Sequence, residues 1–320
     1  MSGKYAAAGS ARNFGYGRDL AYAGRQALQE YYGGGHFATV AAHSSRFGQF
    51  AEWAREHGIR DVARNDPQQL LHAYAEHVGQ QAGKKNLSTA YAHNLISSAQ
   101  VTFRAMSGND GIRVSPASYC GSRSNVRSDA PRSLERSAVE TATNAMRTAG
   151  LERAACIVQL AREFGMRERE AVLADLSRLD REAREQGAVN IQEGTKGGRT
   201  ADRWVPVSPE GRSALDGALA ARPEGSRNLL EAGETYRQFV DSELRQGREF
   251  LQDAGIADYH DCRAGYACDR YEQLTGHAAP VVAGCRTASK ESDLEARMQI
   301  SPELGHGRVD VLVSYVGGRA

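Results

Sequence analysis

The sequence is organised around a stretch that begins Tyr-His-Asp-Cys-Arg (259–263) and ends Glu-Leu-Gly-His-Gly-Arg-Val-Asp-Val-Leu-Val-Ser-Tyr (303–315). His260 and Arg263 are three residues apart, so on a helix their side chains share one face and can reach one ligand. His306 follows a Leu-Gly pair and precedes Tyr315 by nine residues. Two imidazoles, a guanidinium and a phenol suit a transition state that gathers negative charge around phosphorus. These four side chains are the first candidates for a functional site.

Length and composition are those of an ordinary globular protein. The 320 residues allow two domains, and hydrophobic and charged residues make up 41% and 25% of them. The formal net charge of +1 is divided unevenly: residues 1–130 carry 14 Lys and Arg against 9 Asp and Glu, and the remainder carries 26 against 30. A basic first part joined to a mildly acidic second part is compatible with a polyanionic partner and equally with chance.

No segment predicts export or membrane insertion. The start, MSGKYAAAGSARNFGYG, lacks the apolar core of a signal peptide, and no run approaches the roughly 18 apolar residues of a membrane span. The five cysteines have no short paired spacing, which predicts reduced thiols in a cytoplasmic protein. His260, Cys262 and Cys268 lack the second close pair that a zinc site needs, so we expect no metal.

The first part of the chain predicts a flexible arm followed by a helical domain. Residues 1–20 have no periodicity, whereas residues 21–107 predict about four helices with apolar stripes. The clearest helix start is Asp-Pro-Gln-Gln (66–69), which combines an Asp cap, a proline at the first helical position and a glutamine three residues after the cap. Lys84 and Lys85 lie in a later loop, where lysines are usually just solvated. They contact phosphates only if this domain faces DNA.

A linker follows at residues 108–132, which are rich in Gly, Ser, Pro and Arg and have no apolar period. Arginines recur along it at Arg113, Arg123, Arg127 and Arg132. A flexible basic linker suits a protein that surrounds a duplex, although linkers are commonly polar for other reasons.

Residues 133–320 predict a second domain, in which helical spacing resumes. Arg167 lies at the start of one helix, and Glu170 follows one turn later on the same face. Further helices are predicted at roughly 209–221 and 227–254. Taken alone, an Arg-Glu pair that decorates the start of a helix is the better interpretation.

The pattern changes period between these helices. Alternation at Val-Asn-Ile-Gln (189–192), a glycine-rich turn and extended structure at Trp-Val-Pro-Val (204–207) predict a β-hairpin with Lys196 near its tip. A lysine at a hairpin tip is usually a solubilising residue, and it would be unusual only if the hairpin folded over an active site.

The order of these parts resembles a tyrosine recombinase, the family of the phage and mobile-element integrases. The parts are Arg167 with Glu170, Thr-Lys-Gly-Gly (195–198), His260-x-x-Arg263, Leu304-Gly305-His306, and Tyr315. A His-x-x-Arg pair is nonspecific, but all five parts in order, with the usual spacing from His306 to Tyr315, form a specific signal. The resemblance covers the chain from about residue 20 to its end. It implies a SAM-like helical core-binding bundle and a mixed α+β, mainly helical catalytic domain with a small β-hairpin.

The resemblance also implies the reaction, which is cleavage and rejoining of double-stranded DNA without metal, cofactor or ATP. Tyr315 would attack phosphorus and form a 3′-phosphotyrosyl intermediate that conserves the energy of the phosphodiester. Arg167 and Arg263 would donate planar, two-pronged hydrogen bonds to the non-bridging oxygens of the transition state.

The remaining roles come from the same resemblance. Lys196 would protonate the leaving 5′-oxygen, and His260 would orient the phosphate or help to deprotonate Tyr315. His306 would donate to a phosphate oxygen, and Glu170 would position Arg167. The sequence departs from the family pattern at Ala264, where the family usually has a second histidine, and this touches the packing beside the site.

Double-stranded DNA is therefore the expected partner, with contacts from Lys84, Lys85, Arg123 and Arg127. The family implies a homotetramer on synapsed DNA, accessory DNA-bending or directionality proteins, and a cytoplasmic location at the nucleoid. Five residues follow Tyr315, so we expect coupling between protomers through this segment to be very short or supplied elsewhere. The alternative function is a DNA-binding module that keeps the scaffold without cutting, and a purely helical interaction protein is a third.

Overall fold

Helices make up most of the structure, a computed structural model that describes residues 12–195 and 201–318. One antiparallel pair of strands completes the sheet structure of the described residues. This architecture confirms the predicted mainly helical fold with a small sheet. The chain divides into two compact units between Ser124 and Asn125. Within the described ranges, no helix is both long and apolar enough to cross a lipid bilayer.

The described part of the first unit is a helical bundle. Its helices are α1 (Leu20–Tyr32), α2 (Phe37–Glu56), α3 (Pro67–Gly83), α4 (Thr89–Ser107) and α5 (Ala117–Cys120). The predicted start of α3 is confirmed, because Asp66 accepts a 2.9 Å hydrogen bond from the backbone N–H of Gln68 and proline follows the cap. Aromatic rings fill the interior, where Phe50 meets Phe103 edge to face with ring centroids 4.9 Å apart.

The stretch predicted as a linker is divided between the two units. Ile112 and Val114 are buried in the core of the first unit, which also includes α5. Two isolated apolar side chains produce no period in the sequence, yet they still gain free energy from burial. Beyond the division at Ser124, the backbone N–H of Arg127 donates to the carbonyl of Val313 at 2.9 Å, within the second unit.

The second unit is built around one central helix. Its helices are α6 (Arg136–Thr148), α7 (Glu152–Phe164), α8 (Glu168–Leu173), α9 (Leu176–Gln186), α10 (Pro209–Ala220), α11 (Tyr236–Phe239), α12 (Arg245–Asp253), α13 (Tyr259–Thr275), α14 (Pro280–Ala283), α15 (Lys290–Glu303) and α16 (Val313–Val316). The central helix is α7, which packs against α6, α10 and α13. Ile157, Leu160 and Phe164 of α7 are fully buried, as expected for a helix with apolar residues on most sides.

The predicted hairpin is present as two short strands, β1 (Ala188–Asn190) and β2 (Trp204–Pro206). They pair antiparallel with Val189 opposite Val205. Both valines are buried, whereas Trp204 is exposed, so the alternation of side chains points one face of the ribbon into the unit. Lys196, the predicted tip, lies outside the described residues.

The helix predicted at 227–254 begins later than expected, at Tyr236, and is interrupted by a π-helical turn before it ends at Asp253. The structure has turns at 222–234, then α11, a π-helical turn at Val240–Leu244, and α12. Asn228 favours a turn over a helix here, because its side chain accepts the backbone N–H of Leu230 at 2.9 Å. The backbone N–H of Leu229 donates to the carbonyl of Val172 at 3.2 Å. Tertiary backbone pairing therefore replaces helical pairing in this segment.

Candidate active site

The ends of several helices converge on Arg263 in the second unit. Asp258 caps α13 by accepting the backbone N–H of His260 at 2.8 Å. The cap places His260 and Arg263 in the first turn and a half of the helix, three residues apart as the sequence predicts. Gly165 follows the last residue of α7, and Leu304 follows the last residue of α15. The carbonyls of these two residues face the Arg263 guanidinium.

The Arg263 guanidinium is fully buried and donates to two backbone carbonyls and one hydroxyl. Nη1 donates to the Gly165 carbonyl, Nη2 donates to the Leu304 carbonyl, and Nε donates to the Tyr315 hydroxyl at 3.3 Å. Carbonyls at helix C-termini lack intrahelical partners and carry partial negative charge, so they suit a buried cation. Burial lowers the pKa of Arg263 to about 10, and the side chain therefore stays protonated at neutral pH.

Tyr315 lies inside the unit with 3% of its surface exposed. Its hydroxyl is 3.1 Å from Nε2 of His306 and 3.3 Å from Nε of Arg263. The His260 ring lies beside the tyrosine, with ring centroids 5.3 Å apart. The structure thus brings together the four residues of the stretch at 259–315 that the sequence singles out.

Arg167 and Glu170 form the pair that their spacing predicts, at the start of α8. Glu170 is fully buried and accepts both the backbone N–H of Arg167 at 2.7 Å and its Nη1 at 2.5 Å. Burial by itself raises the pKa of Glu170. The guanidiniums of Arg203, Arg263 and Arg167 lower it by more than burial raises it, so the net pKa lies below the usual range. Glu170 is therefore a buried carboxylate that holds arginines in place.

Arg203 belongs to this cluster and was missed in the sequence. It is 4% exposed, and its Nη1 donates to Glu170 Oε2 at 2.7 Å. Its Nε donates to the Glu303 carbonyl at 2.7 Å and its Nη2 to the Gly165 carbonyl at 3.0 Å. A signal was available, because Arg203 is two residues before Val205 and strand alternation puts both side chains on the buried face. An arginine on the buried face of a strand needs a charged partner.

The cluster is electropositive, since three guanidiniums surround the single carboxylate of Glu170. The histidines respond to this potential. Burial and then the charges of Arg263, Arg167 and Arg203 lower the pKa of His306 to about 3. Burial and the charge of Arg263 also lower the pKa of His260. Both imidazoles are therefore neutral at neutral pH, and the site favours an anion.

The shifted histidines predict a stability that depends on pH. An unfolded histidine has a pKa of about 6.5, so below this pH the unfolded chain binds a proton that folded His306 refuses. The free energy of unfolding should have its full value above pH 6.5. It should fall as the pH decreases toward about 3, by up to about 1 kcal/mol per pH unit for His306. Denaturant titrations at several values between pH 7.5 and about 5 would measure this slope, above the range in which Glu170 takes up a proton.

The substitution His306→Gln should make the slope for the second unit shallower. The exposed His277, in the same unit, is a matched control, and His277→Gln should leave the slope as it is in the wild type. Equal slopes for His306→Gln and the wild type would contradict a half-buried His306 that stays neutral in the folded protein.

Gly165 provides a further prediction, because it is both a left-handed residue and a close contact. Its φ is +59°, and a Cβ added to it would lie 2.6 Å from Tyr266 Cδ1 and 2.7 Å from Leu304 Cδ2. Gly165→Ala should therefore lower the free energy of unfolding by at least about 2 kcal/mol, from backbone strain and overpacking together. Denaturant titration measures the loss.

The matched control for this substitution is Gly187→Ala. Gly187 ends α9 with a φ of +65° and has no atom within 4 Å of an added Cβ. It should show the strain alone, about 1 kcal/mol. If the two variants lose the same stability, close packing at Gly165 is not the reason for its glycine.

The other predicted residues belong to the first unit, to the start of the second unit, or to the part of the chain outside the described ranges. Lys84 and Lys85 are exposed after α3, and Arg123 is exposed with its Nη1 3.4 Å from Asn94 Oδ1. Arg127 is half-buried and forms an ion pair with Asp261 at the start of α13, so its charge is already compensated. Lys196 is among the residues that the structure does not describe.

Comparison with known proteins gives a match to one family model and a similar fold. Residues 121–269 match the family model described as Integrase, a range that includes Arg167, Glu170 and the His260-x-x-Arg263 pair and ends before His306. The search of curated proteins finds no match.

Two solved structures are similar. The first is a crystal structure of a lambda integrase (residues 75–356) dimer bound to a COC′ core site, with a TM-score of 0.56 and 15% identity over 91% of this chain and 92% of that one. The second is XerA recombinase, with 16% identity over 92% of this chain and 93% of that one. Its TM-score of 0.37 is too low to indicate a shared fold. The likeness to lambda integrase indicates the same fold.

Proposed function

We propose that the chain is a tyrosine recombinase of the integrase family, as its match to the Integrase family model over residues 121–269 and its fold support, and that it cuts and rejoins double-stranded DNA through a 3′-phosphotyrosyl intermediate on Tyr315. One observation carries the proposal. The Tyr315 hydroxyl lies 3.1 Å from a neutral imidazole and 3.3 Å from a buried guanidinium, within an electropositive cluster. A phenol in that setting has a partner for its proton and a cation beside its oxygen.

The transition state for attack at phosphorus gains negative charge on the non-bridging oxygens. Arg263 is held by two carbonyls and Arg167 by Glu170, so both guanidiniums are oriented before DNA binds. Donors that are already oriented need no reorganisation during the reaction, which is the main source of electrostatic catalysis. Arg203 and Glu170 act as positioning residues, because they are buried and hold Arg167 in place.

Two proton transfers accompany the reaction. Nε2 of His306 is within hydrogen-bonding distance of the Tyr315 hydroxyl, so His306, which the family resemblance assigns to a phosphate oxygen, is here the proposed acceptor of the tyrosine proton. The charge of a bound phosphodiester opposes that of the guanidiniums and makes the imidazole a stronger base. His260, whose ring also lies beside that of the tyrosine, orients the phosphate. The family resemblance assigns protonation of the leaving 5′-oxygen to Lys196.

The proposed substrate is duplex DNA, by analogy with lambda integrase, whose structure is of a dimer bound to a core site. Exposed Lys84, Lys85 and Arg123 are proposed phosphate contacts in the first unit. Arg127 would reach a phosphate only by leaving Asp261. A homotetramer on synapsed DNA and accessory DNA-bending or directionality proteins are further proposals from the family.

The test is to trap the covalent intermediate. Bound sequences are first selected from a pool of randomised duplexes and then synthesised with a nick next to each candidate cleavage position. After cleavage the short fragment diffuses away, rejoining is prevented, and the protein stays attached to a labelled strand. A labelled species that survives denaturing electrophoresis and disappears after protease treatment is the expected result.

The other outcomes discriminate between the alternatives. Specific binding without an adduct on any nicked duplex would favour the DNA-binding module that does not cut. The absence of sequence enrichment and of binding would favour the helical interaction protein.

A further inference from the structure

The backbone just beyond the proposed nucleophile is held by a buried arginine on another helix. We propose that Arg297, supported by Asp293 and Tyr271, is a positioning residue that keeps Tyr315 seated in the site by binding the backbone of Gly317 and Gly318. The contact of Arg297 with the backbone of Gly317 and Gly318 is called the latch below. The inference rests on the proposed function for its catalytic consequence, but the latch itself is a property of the free protein.

Arg297 uses all three of its nitrogens in this arrangement. It is 0% exposed, and its Nη1 donates to the Gly317 carbonyl at 3.2 Å, while Nη2 donates to the Gly318 carbonyl at 2.8 Å. Nε lies 2.9 and 3.0 Å from the two carboxylate oxygens of Asp293, one helical turn earlier. A planar guanidinium suits two carbonyls on one side and a carboxylate on the other, which an ammonium cannot match.

Asp293 links the latch to the helix that carries the candidate active site. Its Oδ1 also accepts the Tyr271 hydroxyl at 2.9 Å, and Tyr271 lies on α13, the helix of His260 and Arg263. The latch therefore joins α13, α15 and the segment after Tyr315. The charge of Arg297 is compensated by Asp293, so its remaining donors are free to bind neutral carbonyls.

The segment that carries Tyr315 needs such support. α16 has four residues, too few to be stable as an isolated helix. On one side, the Val313 carbonyl accepts the backbone N–H of Arg127 at 2.9 Å. On the other side, Gly317 has a φ of +88°, and a Cβ added to it would lie 2.6 Å from the backbone nitrogen of Val281. The chain thus turns tightly against α14 and runs to Arg297 immediately after the tyrosine.

The catalytic consequence follows from geometry. A displacement of about 1 Å at a reacting atom can cost about 10²-fold in rate. Loosening the backbone two residues after Tyr315 should leave DNA affinity unchanged and slow the attack. We expect Arg297→Gln to lower the first-order rate of adduct formation on a nicked duplex by roughly 10–100-fold.

Hydrogen exchange of the free protein tests the latch without DNA. In Arg297→Gln, the amides of 309–318 should exchange faster than in the wild type, while those of the central helix α7 should exchange as before. Arg297→Lys should give an exchange rate between those of the wild type and Arg297→Gln, because one ammonium cannot replace the two parallel donors of the guanidinium. Tyr271→Phe keeps the ring and removes the hydrogen bond to Asp293, so it should give a smaller increase in the exchange rate at 309–318. This variant replaces Arg297→Gln in the test if Arg297→Gln does not fold.

Arg162 provides the matched control. It is also buried in the second unit, where it donates to the Ser133 carbonyl at 2.7 Å and pairs with Asp269 at 2.6 Å. Arg162→Gln should lower stability without selectively exposing 309–318.

The outcomes separate the latch from the proposed function. Unchanged exchange at 309–318 in Arg297→Gln, or an increase no larger than that in Arg162→Gln, overturns the latch. Faster exchange with an unchanged adduct rate overturns the role of Arg297 in positioning Tyr315. A wild-type protein that forms no adduct contradicts the proposed function, and the exchange measurement still decides whether Arg297 holds the segment.

Discussion

Tyr315→Phe is expected to abolish the covalent adduct on a nicked duplex while DNA binding remains. The phenol oxygen is the proposed nucleophile, and no other hydroxyl among the described contacts lies between Arg263 and His306. The ring itself should stay in place, because phenylalanine has the same shape and loses only the two hydrogen bonds of the hydroxyl. The cost to stability should be about 1–2 kcal/mol. Denaturing electrophoresis measures the adduct, and a mobility shift measures binding.

Tyr259→Phe is the matched control for this prediction. Tyr259 is also buried on α13, but its hydroxyl donates to the Leu244 carbonyl at 3.2 Å and does not enter the site. This variant should form the adduct at a rate near that of the wild type. An adduct that persists in Tyr315→Phe would show that another residue attacks.

Arg263→Lys should lower the rate of adduct formation by about 10²–10³-fold, the usual cost of removing one oriented donor from a transition state. Arg263 binds two carbonyls and the Tyr315 hydroxyl through three different nitrogens. A lysine keeps the charge but offers a single ammonium, so it cannot hold both carbonyls and also serve a phosphate in two-pronged fashion. Single-turnover cleavage at saturating protein separates this loss from any change in affinity.

Arg153→Lys serves as the control for an arginine network elsewhere in the second unit. Arg153 pairs with Glu234 at 2.7 Å and with Glu243 at 2.7 Å, and neither carboxylate belongs to the candidate site. The control should lose stability and keep its cleavage rate. If Arg263→Lys also cleaves at the rate of the wild type, the charge alone is sufficient and the planar fork is not required.

Local patterns in the sequence were enough for several features of the fold and the site. The Asp66 cap, the hairpin of extended segments near Val189 and Val205, and the neighbouring positions of Arg167 and Glu170 follow from periodicity and capping, which act over a few residues. The helix predicted at 227–254 begins only at Tyr236, because a hydrogen bond from Leu229 to the distant backbone of Val172 competes with helical ones. Such partners leave no trace in local periodicity.

By itself, the sequence determined which chemical groups the protein contains, their order along the chain and the helices or strands that carry them. Only the tertiary structure decided which of those groups meet. Arg203 joins Glu170 across 33 positions, and Arg297 reaches the backbone beyond Tyr315 across about 20. Both arginines are buried and also bind backbone carbonyls, which every residue possesses, so residue types in the sequence do not mark these carbonyl contacts. For the stretch at 259–315, the sequence supplied the nucleophile and its neighbours, and packing of α13 against α15 supplied the geometry that holds them.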